Sequence, residues 1–154
     1  MEDLPGTYVL VLQMVRDTDL RVGRLGVVAF PRGYYCYVGS AMGPGGRRAR
    51  LARHLRQQKK PHWHIDYLLR QALVVETWSA PSAARLECTW VRALLQLPGA
   101  TLPVRGFGSS DCDCPAHLVR FVSAPSLMAF ARQLQPLGLE VLPHKVTPQQ
   151  IPPR

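Results

Sequence analysis

Residues 37–41 read Tyr-Val-Gly-Ser-Ala, and the chain runs on through MGPGG (42–46) into RRARLARHLR (47–56). A β-forming segment stops at a glycine, a Gly/Pro loop follows, and a helix crowded with arginine begins after it. Working outward, residues 7–14 (TYVLVLQM) alternate loosely and are rich in β-formers, and residues 20–30 and 34–38 form two more apolar runs. The breaks between them are short, which predicts a three-stranded, mainly antiparallel meander. The arginine helix is expected over 47–58, between Pro44-Gly45-Gly46 and Pro61. A second helix is expected over 64–73, a strand over 74–78, and a longer helix over 82–97 that stops at Pro98-Gly99. Residues 99–116 carry little pattern, and a strand (118–122), a helix (126–134) and an edge strand (139–142) close the chain as a strand–helix–strand extension. The fold class is therefore mixed α/β of the α+β type, a small three-stranded sheet flanked by helices.

A length of 154 residues fits one domain, expected over 1–142 with a proline-rich tail at 143–154. The hydrophobic fraction is 47% and no apolar run approaches the roughly 20 residues that span a bilayer. The opening MEDLPG lacks the basic and apolar regions of a secretory signal, so a cytoplasmic location is expected, with no membrane partner. The oligomeric expectation is a monomer or a weak dimer.

The net charge is +9, and its distribution is uneven. No Asp or Glu occurs between Asp19 and Asp66, while the same interval holds Arg47, Arg48, Arg50, Arg53, Arg56, Lys59 and Lys60 besides three earlier arginines. An uncompensated stretch of this kind is the footprint of a phosphate backbone, and the excess of arginine over lysine suits phosphate geometry. On a helical wheel, Leu51 and Leu55 face the core and Arg50 stands beside His54 at one edge of that face. Arg53 and Arg56 are expected to point away from it. In the 82–97 helix, Leu86, Trp90, Val91 and Leu94 define the apolar face, and Glu87 falls inside it. Arg85 and Arg92 lie on the other side of that wheel. Such a carboxylate needs either a distant arginine or a divalent cation such as Mg²⁺.

These residues resemble a known family. Gly6-Thr7-Tyr8 and Tyr37-Val38-Gly39, followed by RLARHL (50–55), are similar to the paired motifs of the GIY-YIG nucleases. GTYVL, YVGSA, KKPHWHIDYLL and GFGSSDCDC resemble its DUF123 or Uri-type branch, over residues 5–122. The resemblance implies a GIY-YIG-like fold and a nuclease using one Mg²⁺ or Mn²⁺ ion. It implies catalytic roles for Tyr8, Tyr37, Arg50, His54 and Glu87, with Glu87 as the metal ligand. Tyr8 would help deprotonate or orient water, which requires an environment that lowers the phenol pKa or action through metal-bound water. Thr7 stands where isoleucine is usual, and Ser110 or Asp111 lies where the family carries an asparagine. The expected substrate is a structured nucleic acid, DNA before RNA, with Arg47, Arg48, Arg53, Arg56, Lys59, Lys60 and His64 as the expected contacts. The alternative is a non-catalytic nucleic-acid-binding module on the same scaffold. Cys112, Cys114 and His117, with His62 or His64 as a fourth ligand, offer a weaker Zn²⁺ site; the bland reading is packed thiols beside a capped turn. Cys36 and Cys88 read as ordinary buried thiols. Trp63 reads either as a core anchor or as a base-stacking platform.

Overall fold

The computed structural model describes residues 4–56, 61–109, 113–138 and 140–144. Its centre is β1 (Gly6–Met14), in which Tyr8, Leu10, Leu12 and Met14 face one apolar layer and Val9 and Val11 face the other. Both faces of the strand are buried, so the sheet is covered on two sides and the alternation is between two cores rather than between core and solvent. β1 pairs antiparallel with β4 (Gly33–Ala41) on one side and with β5 (Leu73–Pro81) on the other. Two outer strands, β6 (Leu118–Phe121) and β7 (Leu142–His144), complete a five-stranded antiparallel sheet in the order β6-β4-β1-β5-β7.

The predicted three-stranded meander is corrected here. The apolar run at 20–30 does not enter the central sheet: it folds into a separate two-stranded ribbon of β2 (Thr18–Arg21) and β3 (Val27–Phe30). Gly23 and Gly26 take φ of 46° and 77° and turn the chain between these strands, which a single continuous strand could not accommodate. The extension at the C-terminal end contributes both of its strands to the edges of the sheet, which raises the strand count. β7 also takes in Pro143 and His144, two positions expected to belong to the tail; residues 145–154 lie outside the described residues.

Four α-helices flank the sheet among the described residues. α1 (Gly46–Leu55) places Leu51 against the Tyr8 layer, with α2 (His64–Leu68), the β2–β3 ribbon and Phe107 completing that core. α3 (Glu87–Leu95) and α4 (Leu127–Leu134) cover the opposite face, where Trp90, Trp78 and Phe130 meet. The helix expected over 82–97 starts five residues later than predicted, at Glu87. Ser82 is tied instead into a local turn, its hydroxyl accepting from the Ala84 amide at 3.1 Å. α2 is likewise shorter than expected, ending at Leu68.

Tyr8 lies opposite Gly39 in the β1–β4 register, and a methyl group at Gly39 would sit 2.4 Å from the Tyr8 hydroxyl oxygen. The glycine of YVGSA is thus demanded by the tyrosine ring above it. Gly39→Ala is expected to cost about 1–3 kcal/mol in chemical denaturation. The cost should shrink when the same substitution is made in a Tyr8→Ala background, because the clashing ring is then gone.

Candidate active site

A cleft of about 500 Å³ opens beside the start of β1 and the last part of β4. β1 supplies Tyr8 and β4 supplies Tyr37, both buried. α1 supplies Arg50, and the first residue of α3 supplies Glu87. His64, Gly108 and His117 close the wall between the two helical layers.

Tyr8 is joined to α1 by a 2.7 Å hydrogen bond between its hydroxyl and His54 Nε2. His54 is itself buried and packs edge-on to Tyr37 at 6.2 Å between ring centroids. Burial raises the Tyr8 pKa well above its ordinary value; the Arg50 guanidinium pulls the other way without overcoming it. Burial raises the Tyr37 pKa in the same manner, and Tyr8 adds to the effect. Both phenols therefore stay protonated at neutral pH. The lowered phenol pKa that a tyrosine base would need is not what this environment supplies.

Among the contacts that hold Arg50 in the cleft, Nη1 donates to the Ser40 carbonyl at 2.9 Å, and the guanidinium lies 4.6 Å from the Trp63 ring centroid. Arg53 also stacks on Trp63, at 4.1 Å, and forms a bidentate pair with Asp66, both N···O distances being 3.0 Å. Arg53 thus packs inward rather than toward solvent. Asp66 is buried and also accepts from the amides of His62 and Trp63 at 2.8 and 2.9 Å. Burial alone would raise its pKa, but the Arg53 bonds and these two amides carry it below the ordinary carboxylate value. Trp63 is accordingly an anchor that fixes two arginines and the start of α2.

Arg47, expected on the nucleic-acid face, is buried: its Nη1 donates to Ser79 Oγ at 2.9 Å and its Nε to the Leu4 carbonyl at 3.2 Å. It ties α1 to β5 and is removed from the binding surface. Arg48 and Arg56 are exposed, whereas Lys59 and Lys60 lie outside the described residues. His64 is half-buried and accepts the Gly108 amide at Nδ1, 2.8 Å away, so its Nε2 carries the proton; burial lowers its pKa.

Glu87 sits at the first residue of α3, its side chain only 15% exposed. Because α3 begins here, Arg85 belongs to the preceding turn and not to the far side of the helix, and its guanidinium comes within 3.7 Å of the carboxylate. Arg85 is 67% exposed, so this pair is long and screened by solvent. A largely covered carboxylate with so weak a counter-charge, in a cleft, is suited to a hard divalent cation.

The Cys112–Cys114–His117 grouping is changed by the structure. Cys112, like Ser110 and Asp111, lies outside the described residues, and Cys114 is bonded to Cys88. Cys88 is half-buried, disulfide-bonded and lines the cleft, so it is not the ordinary buried thiol expected from sequence; Cys36 is buried and free. His117 is buried with a pKa lowered chiefly by that burial, the Glu87 charge acting in the opposite sense. Its amide donates to the Phe107 carbonyl and its carbonyl accepts from Val38, at 2.7 and 2.9 Å, which brings the 106–108 segment against β4. Sequence reasoning did not pick out Ser40, Cys88 or Gly108 as parts of this wall, nor Asp66 as the partner of Arg53. Asp66 left one signal, as the acid that ends the uncompensated basic stretch.

The strand tyrosines, the tethered arginine and the acidic helix start define a mixed α/β domain with a polar cleft at one end of its sheet. The family described as Domain of unknown function DUF123 matches residues 7–137, and the chain belongs to that family. No curated protein and no solved structure matches the chain at a significant level. No described helix is long and apolar enough to cross a membrane.

Asp66→Asn is expected to destabilise the fold by about 3 kcal/mol at pH 7, since it leaves Arg53 without its charge partner. The folded-state pKa of Asp66 is depressed, so its contribution is complete above the ordinary value of 3.8 and is lost as pH falls through the lower folded value. Urea denaturation at a series of pH values should show the wild type and Asp66→Asn converging toward the acid end.

Proposed function

We propose that this protein is a divalent-metal-dependent endonuclease of the GIY-YIG type, acting on structured nucleic acid and on DNA in preference to RNA. The observation that carries the reading is the convergence of Tyr8, Tyr37, Arg50 and Glu87 on one cleft, although they come from four separate elements. Glu87 would hold the cation, which supplies Lewis-acid stabilisation of the leaving 3′-oxygen.

The remaining steps are assigned to the chain's own groups. Arg50 binds the scissile phosphate; its Ser40 and Trp63 contacts hold the guanidinium in place before substrate arrives, so little ordering is left to be done at the moment of reaction. Tyr8 orients the attacking water through its hydroxyl. Because the phenol stays protonated, it accepts a proton from water at its oxygen while releasing its own to His54 Nε2 across the 2.7 Å bond. The phenolate never has to exist as a free species in the buried site, and His54 ends as the proton's acceptor. Tyr37 lines the cleft next to this pair and contacts the phosphate. Arg48 on α1 and Arg56 just beyond its end, both exposed, continue the basic surface onto which the flanking backbone would lie.

A cleavage screen over branched, flapped, single-stranded and duplex DNA and RNA, with Mg²⁺ and Mn²⁺, tests the reading. Glu87→Gln and Arg50→Ala should each lower the cleavage rate by about 10²–10³-fold while nucleic-acid binding by Glu87→Gln persists. Binding without cleavage of any substrate by the wild type would instead assign a non-catalytic binding module. Tyr8→Phe and His54→Ala should lower the rate by similar factors, and the double variant should lose little more than either alone, because the two act as one relay. Additive losses would rule out the relay.

A further inference from the structure

The first turn of α3 and the loop before β6 bring three soft donors together at the rim of the cleft. Cys88 Sγ, Cys114 Sγ and a ring nitrogen of His117 all lie within 4.8 Å of one another. The two sulfurs are joined as a disulfide here, with the Cα atoms 5.5 Å apart. Cys88 directly follows Glu87, and Cys88 and His117 both line the cleft.

We propose that in the reduced chain Cys88, Cys114 and His117 form a Zn²⁺ site with its fourth position open to the cleft. This set differs from the cysteine pair suggested by sequence spacing, because the partner of Cys114 comes from a different element. A tetrahedral centre with metal–sulfur bonds of ~2.3 Å spaces its donors by roughly 3.8 Å, so the three donors need only small rotations once the sulfur–sulfur bond is opened. Two thiolates and an imidazole select zinc over magnesium, whereas the neighbouring Glu87 is a hard oxygen donor; the adjacent residues thus offer two metals of opposite preference separate ligands. The Cys₂His set with one free position matches zinc centres that keep a site for water or substrate. The site pins the start of α3, and hence Glu87, to the 113–117 loop without needing an oxidising environment.

The chemistry balances as follows. Two molecules of a small monothiol reduce the disulfide, yielding two cysteine thiols and one molecule of the oxidised reductant. Zinc binding then releases two protons, one from each thiol, as the thiolates and the neutral imidazole coordinate. Disulfide and zinc site are mutually exclusive states of the same sulfur pair.

The test uses the full chain without nucleic acid, so that its outcome is independent of the cleavage reading. Protein reduced with a monothiol and stripped with a chelator is titrated with Zn²⁺ against a chromophoric chelator, and in parallel with Co²⁺. The expected result is one metal per chain, a thiolate-to-cobalt charge-transfer band and tetrahedral d–d absorption. Oxidised wild type should show no thiolate-to-cobalt band and at least about tenfold weaker zinc binding until reduced, a comparison that needs no variant to fold. Cys88→Ser and His117→Ala should each weaken zinc binding at least about tenfold. His117→Cys should retain it, and so should Glu87→Gln and Cys36→Ala. Failure of reduced wild type to bind zinc, a cobalt spectrum without the thiolate band, or undiminished binding by Cys88→Ser would each overturn the proposal.

Discussion

The approach of the Tyr8 ring to the backbone of Gly39 governs how much of this molecule is arranged. The β1–β4 register sets the two opposite each other, and the missing side chain at residue 39 leaves room for the phenol to extend across the neighbouring strand. A slip of one residue would send Tyr8, Leu10 and Leu12 to the α3–α4 face and Val9 and Val11 to the α1–α2 face. Both layers are fully buried, so neither could absorb the exchanged volumes without voids or overlap. With the register held, the Tyr8 hydroxyl meets His54, and through that bond the sheet sets the rotation of α1. The position of Arg50, one turn earlier on the same helix, follows.

The basic stretch divides by role once the helix is placed. Arg47 is used to fasten α1 to β5, and Arg53 to neutralise Asp66 beneath Trp63. Neither is available to a ligand, although the sequence offers no local distinction between them and Arg48 or Arg56. Arg50 is intermediate: anchored through a backbone carbonyl and an aromatic face, it keeps its charge uncompensated by any described carboxylate bond and remains at the cleft wall. A guanidinium bound to neutral partners is positioned without being neutralised, which is the condition for strong attraction to a phosphate in a partly desolvated site.

Much of the element order was legible because punctuation and period were strong: Pro44-Gly45-Gly46 marks the start of α1, and the Ser126 side chain caps α4 where the pattern places it, accepting the Ala129 amide at 3.2 Å. What failed depended on contacts between distant segments. The 20–30 run has strand composition, but its membership of a separate ribbon follows from Gly23 and Gly26 and from packing against α2, which periodicity does not report. Arg47 and Arg48 are adjacent in sequence and opposite in burial, because only one meets Ser79 and the Leu4 carbonyl. Glu87 was visible as a charge on an apolar wheel. Yet that wheel ran five residues too early, so the same pattern misplaced Arg85. Cys88 carried no signal of its partner, since 26 residues and a helix separate it from Cys114.

The two buried phenols impose a constraint on any proton transfer in the cleft. A tyrosine with its pKa raised by burial cannot accumulate as phenolate at neutral pH, and a site built on that species alone would spend most of its binding energy creating it. Coupling the hydroxyl to an imidazole changes the problem, because the proton gained at one side of the oxygen is lost at the other and no charge need rest on the phenol. In the proposed relay the developing charge would rest on His54, which packs against Tyr8, Tyr37 and Trp63. Burial disfavours any isolated charge here, and the neighbouring aromatic rings offset part of that cost only for a cation. The same packing that excludes a free phenolate therefore also supplies the imidazole to which the proposed relay would pass the proton.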